Sequence, residues 1–137
     1  MNGVKTLGKF DVVLCMGVLH HLSNPGKGLQ ILSKTLKDDG IIFLYLYGKL
    51  GGHKRMLNKE IISILLDKEK SNYDLGIKLV RDLGLNKFDY GWNINFSNKK
   101  EEDALIVDSL LHANEFLYDC KDIDNLFKKS NLYGYAI

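Results

Sequence analysis

The sequence predicts an α/β fold organised around two parallel strands that one helix connects. Two short apolar runs, at residues 10–14 and 41–47, have the composition of strands that are buried on both faces. Between them Leu29, Leu32 and Leu36 recur at helical spacing, with lysines on the opposite side. Strand, helix and strand in this order predict a right-handed βαβ unit whose strands lie side by side.

Local signals mark both ends of the predicted helix. Asn24 is a candidate N-cap, and Pro25 suits the first helical position because the N–H that it lacks has no intrahelical partner there. Gly40 stands where a left-handed residue is expected to end the helix. Ligands of parallel sheets bind at the carboxyl ends of the strands, so the predicted crevice lies at residues 15–21 and after Tyr47.

Residues beyond the second strand are predicted to be mainly helical. A basic, glycine-rich loop over 47–59 leads into an apolar helix, and a second helix ends at Gly84. An aromatic loop over 85–100 precedes a helix at 101–111, whose first turn is acidic and therefore suits the positive end of the helix dipole. The apolar stripe of the first of these helices comprises Leu57, Ile61, Ile64 and Leu65, widened by Ile62 and Leu66.

The last part of the chain predicts one more helix and a strand. Asp119 or Asp122 begins this helix, and Asn131 is its left-handed end. Its inward side is predicted to carry Ile123, Leu126 and Phe127. Residues 132–137 are apolar and strand-like.

Three motifs stand in order within the βαβ segment: FDVV at 10–13, GVLHHL at 17–22 and LKDDG at 36–40. With Pro25 between the last two, they resemble the second half of class I S-adenosylmethionine-dependent methyltransferases of the Rossmann-like type. In that family the motifs correspond to the fourth strand, the loop that borders the cofactor, and the turn into the fifth strand.

The resemblance implies an α/β, partial Rossmann-like methyltransferase fold with a helical, lid-like insertion. Residues 9–47 are then the core βαβ unit, 48–107 the insertion and 108–137 the return to the core of a single domain. The implied function is methyl transfer from S-adenosyl-L-methionine to an acceptor that the sequence does not identify. The alternative is a non-catalytic module that binds a partner chain through the helical insertion.

The cofactor signature of the family is not in this sequence. The family uses an acidic, glycine-rich loop of the type E-x-G-x-G, because glycines let the backbone approach the ligand. Gly51 and Gly52 are instead accompanied by lysine, histidine and arginine. We therefore expect an internal piece of a longer enzyme, inactive alone and lacking an N-terminal half. A short protein that acts by itself is the alternative.

The resemblance also implies that the end of the first strand borders the cofactor. The residues concerned are Cys15, Met16, Gly17, Val18 and His20. Gly17 lets the backbone come close, and its apolar neighbours suit a planar base; the alternative is a strand end that only packs in the core. A catalytic base at His20 is also open. We expect no metal site, because adjacent histidines diverge and no C-x-x-C or H-x-x-x-H pattern accompanies them.

The candidate substrate residues are Tyr47, His53, Arg55, Trp92 and His112. Tyr47 ends the second strand at the crevice. His53 and Arg55 belong to a basic cluster that suits an anionic acceptor, or that is merely a solvated loop. Trp92 lines an apolar acceptor pocket or covers the core. His112 stands four residues after Asp108, so the two side chains form either a catalytic pair or a local hydrogen bond.

Composition narrows the partners and the compartment. A net charge of +2 over 137 residues favours neither nucleic acid nor membrane as a partner. No apolar run approaches the ~18 residues of a membrane helix. Two cysteines without a framework indicate reduced thiols, hence a cytoplasmic protein. Besides the acceptor, we expect either a missing N-terminal half or a second copy of the chain as the partner.

Overall fold

The computed structural model describes residues 8–87 and 96–134. The chain divides into two compact units. Unit 1 comprises Met1–Gly51 and Asn114–Ile137, and unit 2 comprises Gly52–Ala113. Unit 1 holds a parallel sheet with helices on one side, whereas unit 2 is helical.

The predicted βαβ unit is confirmed in unit 1. Strand β1 (Phe10–Met16), helix α1 (Pro25–Ser33) and strand β2 (Leu36–Tyr45) follow in that order. The two strands pair in parallel, and Cys15 is level with Leu44. The helix begins as the sequence predicts, since the Asn24 side chain accepts a hydrogen bond from the Lys27 N–H (2.9 Å) and Pro25 is the first helical residue.

The prediction that Gly40 ends the helix is wrong. Helix α1 ends at Ser33, and Leu36, predicted on the helix, is already in β2, which contains Gly40. The register passes from Phe10 paired with Leu36 to Val12 paired with Ile41, so β2 bulges between these pairs. A Cβ at Gly40 would lie only 2.9 Å from the Phe10 carbonyl oxygen. Close backbone approach, and not a left-handed conformation, is therefore what requires glycine.

The prediction that both strands are buried on both faces is also wrong. One face packs on α1 and on helix α5 (Cys120–Lys129), around a core of Cys15, Leu19 and Leu29. The other face, which we call the outer sheet face, is from 39% to 68% exposed. Its side chains are those of Phe10, Val12, Leu14, Met16, Ile41, Phe43 and Tyr45. The sequence carries the composition of a doubly covered sheet, but the described residues supply a helical layer on one face only.

Unit 2 contains most of helix α2 (Lys49–Leu66), helix α3 (Tyr73–Asp82) and helix α4 (Lys99–Ile106), which continues as the π-helical segment Val107–Leu111. The predicted loop over 47–59 is therefore wrong, because α2 begins at Lys49. The helix predicted at 101–111 is present and begins two residues earlier. The core of unit 2 consists of Ile62, Leu66, Val80, Ile106, Leu110 and Leu111.

The predicted inward stripe of α2 is only partly correct. Ile62 and Leu66 are buried, whereas the rest of the stripe is exposed: Leu57, Ile61, Ile64 and Leu65. The sequence is apolar around much of the helix circumference, so helical spacing alone does not identify the buried side. Gly84, in contrast, has the predicted left-handed conformation (φ +65°) directly after the C-cap of α3.

The last helix has the predicted ends. Asp119 is the N-cap of α5 and forms a capping box with Asp122, and Asn131 is left-handed (φ 53°). Leu126 and Phe127 pack on the unit 1 core as predicted. The strand predicted over 132–137 is wrong for 132–134, which are in no strand, and its remainder at 135–137 lies outside the described residues. The aromatic loop lies outside them at 88–95. That the insertion is a substrate lid stays a prediction.

Over 8–87 and 96–134 no helix has both the length and the apolar composition needed to cross a membrane.

Replacing Gly40 by alanine should lower the free energy of unfolding. The added Cβ would push against the Phe10 carbonyl oxygen, and such overpacking typically costs about 1–3 kcal/mol. Urea unfolding followed by circular dichroism measures the change. Gly51→Ala is the matched control, because a Cβ there meets no atom within 4 Å and the helix gains about 0.5–1 kcal/mol. A Gly40→Ala variant as stable as the wild type would contradict the close approach.

Candidate functional site

The carboxyl edge of the unit 1 sheet is completed by a third segment of backbone. Tyr118 forms an isolated parallel bridge with Gly48, just beyond β2. The Tyr118 N–H donates to the Tyr47 carbonyl oxygen, and the Lys49 N–H donates to the Tyr118 carbonyl oxygen, each at 2.9 Å. The segment that returns from unit 2 is therefore attached to this edge by a short strand-like pairing.

The turn after β1 depends on Gly17. This residue is left-handed (φ +68°), and its N–H donates to the Tyr45 carbonyl oxygen at 3.2 Å. A Cβ at Gly17 would meet no atom within 4 Å, so there is open space beside the backbone. Met16 and Val18, on either side of it, are both more than half exposed. The turn thus presents a glycine between two apolar side chains at the edge of the sheet.

Three ring side chains, those of His20, His21 and Tyr47, pack together just after the ends of β1 and β2. His20 belongs to the one-turn 3-10 helix Leu19–His21 and is fully buried. Its ring centroid is 4.0 Å from that of Tyr47 with an interplanar angle of 32°, and 4.3 Å from that of His21. The packing joins the end of β1 to the end of β2 through side chains.

The returning segment also holds the two histidines by backbone hydrogen bonds. The Phe116 N–H donates to the His20 carbonyl oxygen at 3.0 Å, and His21 Nδ1 lies 3.0 Å from the Asn114 carbonyl oxygen. These contacts place the segment before Tyr118 next to both histidines. His20 is placed rigidly beside the edge, which suits a lining role.

Cys15 differs from its neighbours in the predicted cofactor-lining stretch. Its side chain is buried in the unit 1 core with Leu19 and Leu29. Burial raises the pKa of the Cys15 thiol above its ordinary value, so the thiol is protonated near neutral pH. It is therefore poorly suited to act as a nucleophile. The five predicted cofactor residues accordingly divide into an exposed edge (Met16, Gly17, Val18) and a buried support (Cys15, His20).

An ion cluster near the edge was not predicted from the sequence. Lys49 Nζ lies 2.8 Å from Asp119 Oδ2 and 2.6 Å from Asp122 Oδ2. The hydrogen bond from Lys49, together with one from the Asp122 N–H, lowers the pKa of Asp119 to about 2, and both carboxylates raise the pKa of Lys49. Burial, and then the negative charge of Asp122, raise the pKa of Tyr118. The capping-box spacing was visible in the sequence, but the distant lysine was not.

The candidate substrate residues fall into different parts of the structure. Tyr47 belongs to the unit 1 edge, whereas His53, Arg55 and His112 belong to unit 2. His53 is exposed, and Arg55 donates from Nη1 to the Ser109 carbonyl oxygen at 3.3 Å. His112 directly follows the π-helical segment as its C-cap. Trp92 lies outside the described residues, and the role of all five stays a prediction.

In the part of the chain that the structure describes, no group of three or more His, Cys, Asp or Glu residues is arranged to hold a metal ion.

Comparison with known proteins agrees with this geometry. A family model described as a methyltransferase domain matches residues 5–44, which include β1, α1 and nearly all of β2. A ubiquinone biosynthesis O-methyltransferase of Glaesserella parasuis is 31% identical over 72 residues, 51% of this chain and 30% of that protein. A tRNA U34 carboxymethyltransferase of Campylobacter lari is 47% identical over 36 residues, 26% of this chain and 12% of that protein.

Residues 5–44 are therefore similar to part of a methyltransferase domain. An uncharacterized protein of Synechococcus matches more of this chain, with 25% identity over 130 residues, 91% of the chain. That match covers 31% of the Synechococcus protein. The chain thus spans about a third, or less, of the length of these curated relatives.

The pairing of Asp119 with Lys49 should make stability depend on pH in the acid range. The folded-state pKa is lowered from 3.8 to about 2, so the stabilisation is present above pH 3.8 and is lost as the pH falls through 2. We expect the urea midpoint of the wild type to exceed that of Asp119→Asn at pH 5, and the difference to shrink as the pH falls from 3.8 to 2 and below. The asparagine keeps the N-cap acceptor, so this comparison isolates the charge.

Two further variants check the assignment. Lys49→Gln should reduce the same pH dependence, because it removes the largest cause of the low Asp119 pKa and leaves the hydrogen bond from the Asp122 N–H. Asp119→Ala should be less stable than Asp119→Asn at every pH, since it also removes the helix cap. A constant difference between the wild type and Asp119→Asn from pH 5 to pH 2 would contradict the ion pair.

Proposed function

We propose that this chain takes part in methyl transfer from S-adenosyl-L-methionine, with the donor bound at the carboxyl edge of the unit 1 sheet. The observation that carries the proposal is the coincidence of the methyltransferase-domain match, residues 5–44, with the βαβ unit that forms this edge. The edge presents a left-handed glycine between two exposed apolar side chains, backed by a packed aromatic group.

The residues at the edge suit one part of the donor better than another. Met16, Val18 and the half-buried Tyr47 offer apolar and aromatic surface for a planar base, and Gly17 leaves space for close approach. The ribose hydroxyls require a carboxylate acceptor, and the turn over residues 17–24 contains no acid. The fit is therefore partial, and we expect this chain alone to bind the donor weakly.

Full activity, in this proposal, needs a further polypeptide segment that brings an acidic, glycine-rich loop. Support comes from the absence of such a loop in the 137-residue sequence and from the greater length of the relatives. The segment that this chain supplies would line one side of the donor and would be inactive alone.

The chemistry at such a site depends mainly on position. S-adenosyl-L-methionine, when bound, supplies a methyl group on a sulfonium, which an acceptor takes by in-line displacement. The role of this chain is then to hold a rigid edge. The bridge between Tyr118 and Gly48 fixes the residues after β2, and the packing of His20 on Tyr47 joins them to the residues after β1. A role of His53, Arg55 and His112 in acceptor binding is part of the same proposal.

A second function, a non-catalytic interaction module, is favoured by one specific observation. Helix α2 leaves a row of apolar side chains exposed on its surface, at Leu57, Ile61, Ile64 and Leu65. Such a row suits the binding of a partner chain. The experiment below separates the two functions, because an interaction module has no reason to bind the methyl donor at the sheet edge.

Titration with S-adenosyl-L-methionine, followed by the amide chemical shifts of the ¹⁵N-labelled chain, should map weak binding to the edge. We expect shifts at Gly17, Val18 and residues 47–49. Tyr47→Leu should weaken binding about fivefold, because an aromatic stack is worth about 0.5–1.5 kcal/mol. Tyr47→Phe keeps the ring and should bind like the wild type.

The control ligand is adenosine, which shares the base and ribose and lacks the sulfonium. Two results would contradict donor binding at this edge. One is a set of donor-induced chemical-shift changes confined to residues 52–113. The other is no change at donor concentrations several times higher than the adenosine concentration that saturates the chain. Equal binding by the leucine and phenylalanine variants would contradict the role of Tyr47.

A further inference from the structure

Lys49 stands at a position that local helix rules disfavour. It is the first residue of α2, where the positive end of the helix dipole repels a cation. The first turn of α2 has no acidic residue to offset this charge, and it includes Gly51 and Gly52, which are weak helix formers. The sequence therefore gives this turn little stability of its own, and the favourable interactions of Lys49 lie outside α2.

Those interactions are with the first turn of α5. Lys49 Nζ lies 2.8 Å from Asp119 Oδ2 and 2.6 Å from Asp122 Oδ2, and the capping box holds both carboxylates in place. The hydrogen bond from Lys49, together with one from the Asp122 N–H, lowers the pKa of Asp119 to about 2, so this carboxylate is charged at neutral pH. A single exposed ion pair contributes little, but one lysine shared by two fixed carboxylates forms a small network.

This ion cluster closes the same junction as the backbone bridge beyond β2. Tyr118 directly precedes Asp119, and its carbonyl oxygen accepts a hydrogen bond from the Lys49 N–H at 2.9 Å. The bridge is isolated, and Gly48, which takes part in it, is exposed. Because backbone hydrogen bonds that face solvent open readily, the side-chain network decides how much of the time this bridge is closed.

We propose that Lys49 is a positioning residue, which through the two carboxylates of α5 holds Tyr47 at the sheet edge assigned above to the donor. The role in donor binding rests on the proposed function, whereas the anchoring of the bridge does not. Tyr47 is connected to the network because its carbonyl oxygen accepts from the Tyr118 N–H, and its ring packs on His20. A ring that is already held in its bound position contacts a planar ligand at a lower entropic cost.

A second exposed ion pair of unit 1 provides a matched comparison. Lys37 Nζ lies 2.7 Å from Asp11 Oδ1, a distance like those around Lys49. This pair joins β1 and β2, which the strand ladder already holds together, and it lies toward the amino ends of the strands. Removing it should therefore leave the carboxyl edge unchanged.

Hydrogen exchange of the Tyr118 amide in the ¹⁵N-labelled chain measures how often the bridge opens. In Lys49→Met we expect exchange about fivefold faster than in the wild type, the upper range for an exposed ion pair. Local helix rules predict the opposite sign, because this substitution removes a cation from the positive end of α2. Lys49→Arg keeps the charge and should restore most of the protection, and Lys37→Met should exchange like the wild type.

Raising the salt concentration tests the same network without a substitution. At about 1 M salt the exposed charges are screened over a few ångströms, so the Tyr118 amide of the wild type should exchange faster. The Gly17 N–H, which donates to the Tyr45 carbonyl oxygen in the same unit, is the internal reference.

Titration of these variants with S-adenosyl-L-methionine measures the consequence for the donor. We expect Lys49→Met to bind about two- to threefold more weakly than the wild type, because apparent affinity falls with the fraction of chains in the competent state. Lys49→Arg should restore the affinity, and Lys37→Met should leave it unchanged.

The outcomes separate the anchoring from the role in binding. Exchange of the Tyr118 amide that is equal or slower in Lys49→Met, or that is faster to the same extent in Lys37→Met, would overturn the anchoring. Faster exchange with unchanged donor affinity would overturn the positioning role. A wild-type chain that does not bind the donor would contradict the proposed function and the positioning role together, while the exchange rates would still decide the anchoring.

Discussion

The parallel pairing of β1 with β2 is the constraint on which the rest of unit 1 depends. It places the turn after Met16 and the residues after Tyr45 at one edge, because parallel strands end on the same side. Everything attributed to the candidate site follows from that placement: the left-handed Gly17, the packing of His20 on Tyr47, and the bridge from Tyr118. The pairing also fixes which side chains face α1 and α5, and hence which remain uncovered.

Sequence reasoning located the βαβ unit, because its signals are local. An Asn-Pro start, a glycine turn and two apolar runs each act over a few residues; the helix begins as predicted and both runs lie largely within strands, although β2 is Leu36–Tyr45 and not 41–47. The errors arose where the outcome depends on distant neighbours. The length of α1 was overestimated because Leu36 fits helical spacing, although it is the first residue of a bulged strand. The buried side of α2 was misjudged because α3 and α4 select it.

The candidate site divides in the same way. The turn from Cys15 to His20 was predictable from motif and strand order. The cluster of Lys49, Asp119 and Asp122 was not, since Lys49 is 70 residues from Asp119 and the sequence carries no signal that joins them. Motif resemblance likewise says which residues border a donor in related proteins, but burial had to separate Cys15 and His20 from the exposed Met16 and Val18.

The bridge between Gly48 and Tyr118 has a consequence for how this fold can change. The chain leaves the sheet edge after Gly48 and returns to it before Tyr118, and these two residues are paired. Unit 2 is therefore inserted between two neighbouring points of the chain. Doubling the number of residues in such an insertion raises the entropic cost of closing it by only about 0.6 kcal/mol. Helices can therefore be lengthened, shortened or exchanged between these two points while the strand ladder stays intact, which gives the fold a position for acquiring new specificities without rebuilding its sheet.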